Sequence, residues 1–181
     1  MDEKTFKYLM KNYYALVDRV DAHIRDVINA LPGEIVCTKG CDDCCRFLTL
    51  FPVEAVNIAA GFNRLDTAAR ECVIRRLETD PEACPLLVDH SCVLYASRPV
   101  ICRTHGYPIY MEKDGEASVD FCPKNFTGMT AFPKEVLLSV DQLNITLAAV
   151  NKQFLESIEG GPELPDRIPV SQALFLFETD A

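Results

Sequence analysis

Four sulfurs crowd into one short stretch of this chain, Cys37-Thr38-Lys39-Gly40-Cys41-Asp42-Asp43-Cys44-Cys45, and Cys84, Cys92, Cys102 and Cys122 follow downstream. A loop aims two sulfurs at one ion when roughly two to four residues separate them, a condition that Cys37/Cys41 and Cys41/Cys44 both meet. Gly40 gives the backbone between them the freedom that a tight thiolate-lined turn needs. The adjacent pair Cys44-Cys45 is more informative. Neighbouring side chains point to opposite faces of a strand and diverge by about 100 degrees on a helix, so both cannot easily serve one tetrahedral ion. The easier arrangement sends each to a different site, or to different irons of one cluster. Eight grouped thiols then suit two four-thiolate sites with Cys44-Cys45 as the seam.

Nine cysteines in 181 residues is a high density. In a secreted chain it would read as a disulfide framework; in a reducing cytosol it points to metal or redox chemistry. The start, Met1-Asp2-Glu3-Lys4, is acidic and no secretory signal pattern follows it, so the expectation is a cytoplasmic protein. No apolar run approaches the ~18 residues that span a bilayer, so no membrane is expected. Soft thiolates select zinc, iron–sulfur clusters or copper(I) over magnesium and calcium. The wide downstream spacings match neither common ferredoxin run, which favours zinc as the cofactor, with iron or an iron–sulfur cluster as the alternative. The competing reading is a set of buried or disulfide-linked cysteines without metal. Cys72 stands apart on a helical segment and reads as a buried structural thiol.

Residues near these cysteines carry secondary candidates. Arg98 and Arg103 flank Cys102, and a guanidinium there would offset the charge of a four-thiolate site; two solvated arginines on a turn is the plain alternative. His90 and His105 lie close to Cys92 and Cys102 and would each be able to replace a cysteine as ligand. His23 falls inside a helix and reads as structural, and Asp42-Asp43 as capping or solvating the cluster loop.

The rest of the chain is expected to fold around this region. It is 49% hydrophobic, which argues against disorder, and its net charge of -9 repels phosphate backbones, so no nucleic-acid partner is expected. Phe6, Met10, Tyr13, Val17, Val20, Ile24, Val27 and Leu31 recur at gaps of four and three, the mark of one long amphipathic helix stopped by Pro32-Gly33. That stripe packs on the chain's own core or, alternatively, forms a homodimer or docks a protein partner. Short helices are expected from Pro52 to Gly61 and over residues 65–78, ended by Asp80-Pro81. Between Cys84 and Cys122 the pattern turns to extended pieces at 86–88, 93–95 and 107–110, with Asp114-Gly115 as a hairpin turn. Pro133 is expected to open a helix over about 134–158, and the tail to bury Phe175 and Phe177. Phosphate loops, nucleophile elbows, HExxH and dinucleotide fingerprints are all missing, and no catalytic residue can be assigned.

The runs CTKGCDDCC (37–45), CPLL (84–87) and CVLYASRPVICR (92–103), with the late Cys122, resemble the YkgJ-type cysteine-cluster family, described as a zinc- or iron-chelating domain. The likeness spans roughly residues 36–125. It implies metal chelation by Cys37, Cys41, Cys44, Cys45, Cys84, Cys92, Cys102 and Cys122, and leaves Cys72 outside. Bacterial flagellin lysine methylases carry a similar cysteine arrangement, which raises an iron–sulfur enzyme or electron carrier as a second function. An assembly module using the N-terminal helix and C-terminal tail is the third. The expected fold is thus α+β, mainly helical, with a small irregular β-hairpin region around a cysteine-ligated metal centre. It is read as a single domain over 1–181: N-terminal helix 1–33, cysteine core 34–125, C-terminal helix 126–159 and extended tail 160–181.

Overall fold

The structure is a computed structural model and describes residues 2–37, 40–158 and 164–177. Its architecture is α+β and mainly helical. The N-terminal heptads form two consecutive helices, α1 (Glu3–Leu9) and α2 (Lys11–Ala30), joined at Met10. Asp2 caps α1 by accepting from the Thr5 amide at 2.9 Å. Met10 keeps right-handed helical geometry, and Tyr14 N–H reaches its carbonyl at 2.9 Å, so the apolar stripe crosses the junction almost unbroken. Met10, Tyr13, Leu16, Val17 and Val20 pack against Val53 and Val56 of α3 (Pro52–Asn63) and Leu143, Leu147 and Phe154 of α6 (Val140–Ser157). The stripe therefore lies inside the chain's own core. The helix ends where expected, with Gly33 at φ 83° turning the chain.

Helix α3 is the axle of the molecule. Pro52 sits in its first turn, and Glu54 reaches back to the Phe51 amide at 3.4 Å. Almost every residue from Pro52 to Phe62 is buried, as for a helix covered on all sides. One face meets α2 and α6. The other, with Ala55, Ile58 and Phe62, joins a second core holding Leu50, Val73, Leu86, Leu94, Ile168 and Leu174. A side chain at Gly61 would put its Cβ 2.7 Å from the Ser97 Oγ, so any larger residue there forces the Ser97 side chain to move. Helix α4 (Thr67–Thr79) is capped by Asp66, which accepts from the Ala69 amide at 2.8 Å, and contributes Val73 to this core.

Three small sheets complete the fold. Strands β1 (Thr49–Leu50) and β7 (Ile168–Pro169) pair antiparallel, as do β2 (Leu87–Val88) and β3 (Ser91–Cys92). In the third sheet β4 (Ile109–Lys113) is central: β5 (Glu116–Asp120) pairs with it antiparallel and β6 (Leu138–Ser139) parallel. Asp114 and Gly115 both have positive φ, 55° and 82°, the geometry of the expected two-residue hairpin.

Four expectations need correction. The C-terminal helix starts at Val140, because residues 134–136 form a 3₁₀ turn and Leu138–Ser139 pair with β4; a strand ladder overrides the helical period there. The extended piece expected at 93–95 is displaced to Ser91–Cys92, and Tyr95–Ser97 is a 3₁₀ turn. A short helix, α5 (Val100–Thr104), carries Cys102 and was not foreseen. The tail forms β7 and a one-turn helix, α7 (Val170–Ala173); Phe175 packs edge-on against Phe62 at 6.3 Å, whereas Phe177 remains 41% exposed. Residues 159–163, where Gly160-Gly161-Pro162 was expected to end the helix, fall outside the described residues.

Polar struts tie these parts together. Arg103 of α5 is buried; its Nη1 donates to both carboxylate oxygens of Asp21 on α2, at 3.0 and 2.7 Å, and its Nε to the Arg98 carbonyl at 2.9 Å. Asn151 accepts from the Val53 amide at 3.1 Å, satisfying one of the free donors at the start of α3. The Tyr13 hydroxyl, by contrast, is buried without a partner among the described residues. Arg103→Ala should therefore lower the unfolding free energy by about 3 kcal/mol, since it leaves the Asp21 carboxylate half-buried and unmatched. Tyr13→Phe should be neutral or stabilising by about 1 kcal/mol, because it removes only an unsatisfied group. Urea denaturation of the two variants checks both signs.

Candidate metal centre

All nine cysteines are free thiols, and none of them sits in the apolar helical cores formed by α2 and α6. The 37–45 loop leaves α2, carries Cys37, Cys41, Cys44 and Cys45, and enters β1. Two features anchor its ends. At the near end Asn125, itself buried, accepts from the Val36 amide at 3.1 Å and donates to the Gly106 carbonyl at 2.9 Å. The Phe126 amide also reaches the Glu34 carbonyl at 2.8 Å. These bonds bring the segment of Cys122 beside that of Cys37. At the far end an antiparallel bridge joins Arg46 to Ala83, which sets Cys45 opposite Cys84.

Cys84 opens a turn in which its carbonyl accepts from Leu87 at 3.2 Å and from Arg76 Nε at 3.2 Å. The chain then forms the β2–β3 hairpin, whose two-residue turn, Asp89-His90, has positive φ at both positions (46° and 57°). The hairpin places Cys92 opposite Leu87. Cys84 and Cys92 both pack on the second core, next to Leu86 and Leu94. Helix α5 then presents Cys102 to the same region.

The thiols feel one another in two sets. Burial, then Cys84, Cys92 and Cys45, push the Cys102 thiol up to about 12, with Arg98 opposing. Burial, then Cys44, Cys84 and Cys92, push Cys45 up to about 12. Burial also raises Cys84 and Cys92, and the amides of Leu86 and Leu87 on the first and Leu94 on the second act in the other direction, favouring thiolate. One set is therefore Cys45, Cys84, Cys92 and Cys102. The other is Cys37 with Cys41, Cys44 and Cys122: shielding by nearby protein, then the charges of Cys41 and Cys44, a hydrogen bond with Cys41 and the charge of Cys122 raise the Cys37 thiol. Cys44 touches both sets electrostatically, whereas Cys45 goes with Cys84, Cys92 and Cys102. Cys72, half-buried on α4, takes part in neither.

Cations stand beside both sets, Arg98 and Arg76 at the set of Cys84 and Cys102 and Lys124 at the other. Arg98 stacks on Tyr95, its Cζ 3.4 Å from the ring centroid, and donates to the Cys102 carbonyl at 3.4 Å. Lys124 pairs with Asp43 and lies near Cys41 and Cys122; the Asp43 carboxylate first, then those two sulfurs, raise its pKa. Arg103 points away, into its ion pair with Asp21. His90 is not among the thiols: its Nδ1 meets Asp42 Oδ2 at 2.8 Å and ties the hairpin tip to the cysteine loop. His105 is exposed at the end of α5, and the half-buried His23 on α2 has a buried Nε2 without a partner among the described residues. Among the described residues no three His, Cys, Asp or Glu side chains are arranged to hold a metal ion as they stand.

Sequence reasoning overlooked Asn125 and Lys124. Nothing in the stretch Cys122-Pro123-Lys124-Asn125 marks Asn125 as a long-range clamp, since its partners lie far away in sequence; Lys124 was discoverable only by its closeness to Cys122. Asn125→Ala should cost about 2 kcal/mol, because it strands the Val36 amide. Hydrogen exchange should show the loss as faster exchange in 34–37 and at 106, with α2 and α3 unchanged.

Compared with protein-family models, with curated proteins and with solved structures, the chain matches none.

Proposed function

We propose that this chain is a metal-binding protein that chelates zinc, or alternatively iron, through Cys37, Cys41, Cys44, Cys45, Cys84, Cys92, Cys102 and Cys122. The observation that carries the reading is eight free thiols on segments brought together by the Asn125 clamp, the Arg46–Ala83 bridge, the β2–β3 hairpin and α5, with the ninth, Cys72, apart on α4. Four sulfurs is the number that a closed tetrahedral zinc shell takes, and thiolate is the donor that prefers zinc or iron to hard cations. The donors thus fit in kind and number. The amides directed at Cys84 and Cys92, with Arg76 and Arg98 on that side and Lys124 on the other, would offset part of the charge of bound thiolates. The resemblance of 37–45, 84–87, 92–103 and Cys122 to the YkgJ-type family points the same way, and free thiols suit a reducing, cytoplasmic setting.

The metal's role on this reading is structural. The described residues of 34–48 and 121–133 form no helix or paired strand beyond single bridges and turns. Ligation, worth on the order of 10 kcal/mol per ion, would stabilise them where apolar burial does not. A brown preparation with broad visible absorption would instead favour the iron–sulfur reading related to flagellin lysine methylases.

Two measurements test the proposal. Anaerobically purified protein should carry zinc by elemental analysis; Cys41→Ser or Cys44→Ser should lose metal, and Cys72→Ser should keep it. Equal loss from all three would overturn the assignment. Zinc uptake should also depend steeply on pH. Cys37, Cys45, Cys84, Cys92 and Cys102 have raised pKa values and hold their protons at neutrality, whereas a ligand must be thiolate. Affinity should therefore rise from pH 6 to pH 8 with release of protons, read by calorimetry in buffers of different ionisation enthalpy. A flat profile would count against thiol ligation.

A further inference from the structure

Helix α5 carries Cys102, yet its five residues are too few to hold a helix on their own, and Pro99 gives its start no side-chain cap. Its place is set from α3 instead. Glu54, buried there, accepts from the Val100 amide at 2.9 Å through Oε1 and from the Phe51 amide at 3.4 Å through Oε2. Asn57 stands on the same face of α3, three residues on, and its Nδ2 donates to the Ser97 carbonyl at 3.1 Å. The Tyr14 hydroxyl meets Asn57 Oδ1 at 3.2 Å and holds that amide in place. Arg103 Nη2 ties the approach to α5 by donating to the Ala96 carbonyl at 2.5 Å. Val100 itself is buried in the core shared by α2, α3 and α6. Among the described residues, the Glu54 carboxylate is the one side-chain acceptor for an amide of α5.

Resting on the metal-binding reading above, we infer that Glu54 is a positioning residue for the ligand Cys102. Its carboxylate locks the first turn of α5 to α3, so the sulfur two residues further on is aimed by the helical frame before any ion arrives. A carboxylate suits this place because it has acceptors only, and both groups it faces are N–H donors. Ordering α5 in advance leaves less conformational freedom to be lost on ligation, which raises affinity without a new contact to the ion. The residue lies outside every cysteine run, 46 positions before the amide it holds.

The test uses the full chain with Glu54→Leu, Glu54→Gln or Glu54→Asp. Leucine fills the space and accepts nothing. Glutamine keeps one acceptor, which the shorter bond gives to Val100, and aspartate keeps the charge but loses the reach. In reduced, metal-free protein, iodoacetamide labelling read by peptide mass spectrometry should accelerate at Cys102 relative to Cys84 and Cys92. The expected factor is about tenfold for Glu54→Leu, about threefold for Glu54→Asp and under about twofold for Glu54→Gln. Zinc affinity, read by competition with a chromophoric chelator, should fall in the same order. Should Glu54→Leu not fold, the ranking of the other two variants decides. Equal acceleration at all three cysteines with lower urea stability would mean support of the fold alone and overturn the inference. An unchanged Cys102, or zinc affinity that no variant moves, would overturn it with metal binding intact. A chain that takes up neither zinc nor iron while Cys102 responds as expected would instead overturn the metal-binding reading.

Discussion

Burial of one face of α2 is the constraint on which the rest of this molecule depends. Met10, Tyr13, Leu16, Val17 and Val20 meet α3 and α6 along several turns, and each large side chain removed from water contributes about 2 kcal/mol. That packing fixes α3, and α3 in turn presents its second face to the core that holds Cys84 and Cys92. From α2 also come Asp21, which receives Arg103, and Val27, which packs with Phe126 and Val136. The cysteine loops hang from this frame at three points: the ion pair of α5, the Asn125 clamp and the bridge at Arg46.

The polar half of the structure follows a different physics. Asn125 and Glu54 act on backbone groups far away in sequence, Arg103 on the distant Asp21 carboxylate, and Arg98 on carbonyls three and four residues away. Glu54 is buried on α3, yet it accepts from the amides of Phe51 and Val100 and so joins the starts of α3 and α5. Burial raises its pKa, and those two amides oppose the rise. Satisfied groups of this kind order irregular chain without apolar area. Phe126 shows the cost: its backbone lies at φ 55°, unfavourable for a bulky residue, and it is kept there by edge-on contacts with Phe121 and Phe132 at 5.6 and 5.3 Å.

Much of the helical frame was legible before any coordinates. The alternating gaps from Phe6 to Leu31, the proline opening α3 and the Asp114-Gly115 turn are local signals, and local signals survive folding when tertiary packing agrees with them. They failed where it disagreed. Val136 and Leu137 continue the period of α6, but hydrogen bonding of Leu138 and Ser139 to β4 takes the segment out of the helix. The expectation that Cys44 and Cys45 serve different ions draws on one peptide alone, since adjacency is a local fact. The partners of Asn125 and Arg103 were not readable, because a single sequence holds no trace of which distant carbonyl or carboxylate a side chain will meet.

The adjacency of Cys44 and Cys45 has a mechanical corollary. Their Cα atoms are the two ends of one planar peptide, about 3.8 Å apart, so a restraint that fixes the position of one also confines the other. Whatever ordering entropy is lost when one gathering of sulfurs is drawn tight need not be lost again for its neighbour. By reciprocity the assistance is the same in either direction. On the metal-binding reading proposed above, a dipeptide whose two sulfurs go to different ions would be the joint through which the two occupancies report on each other.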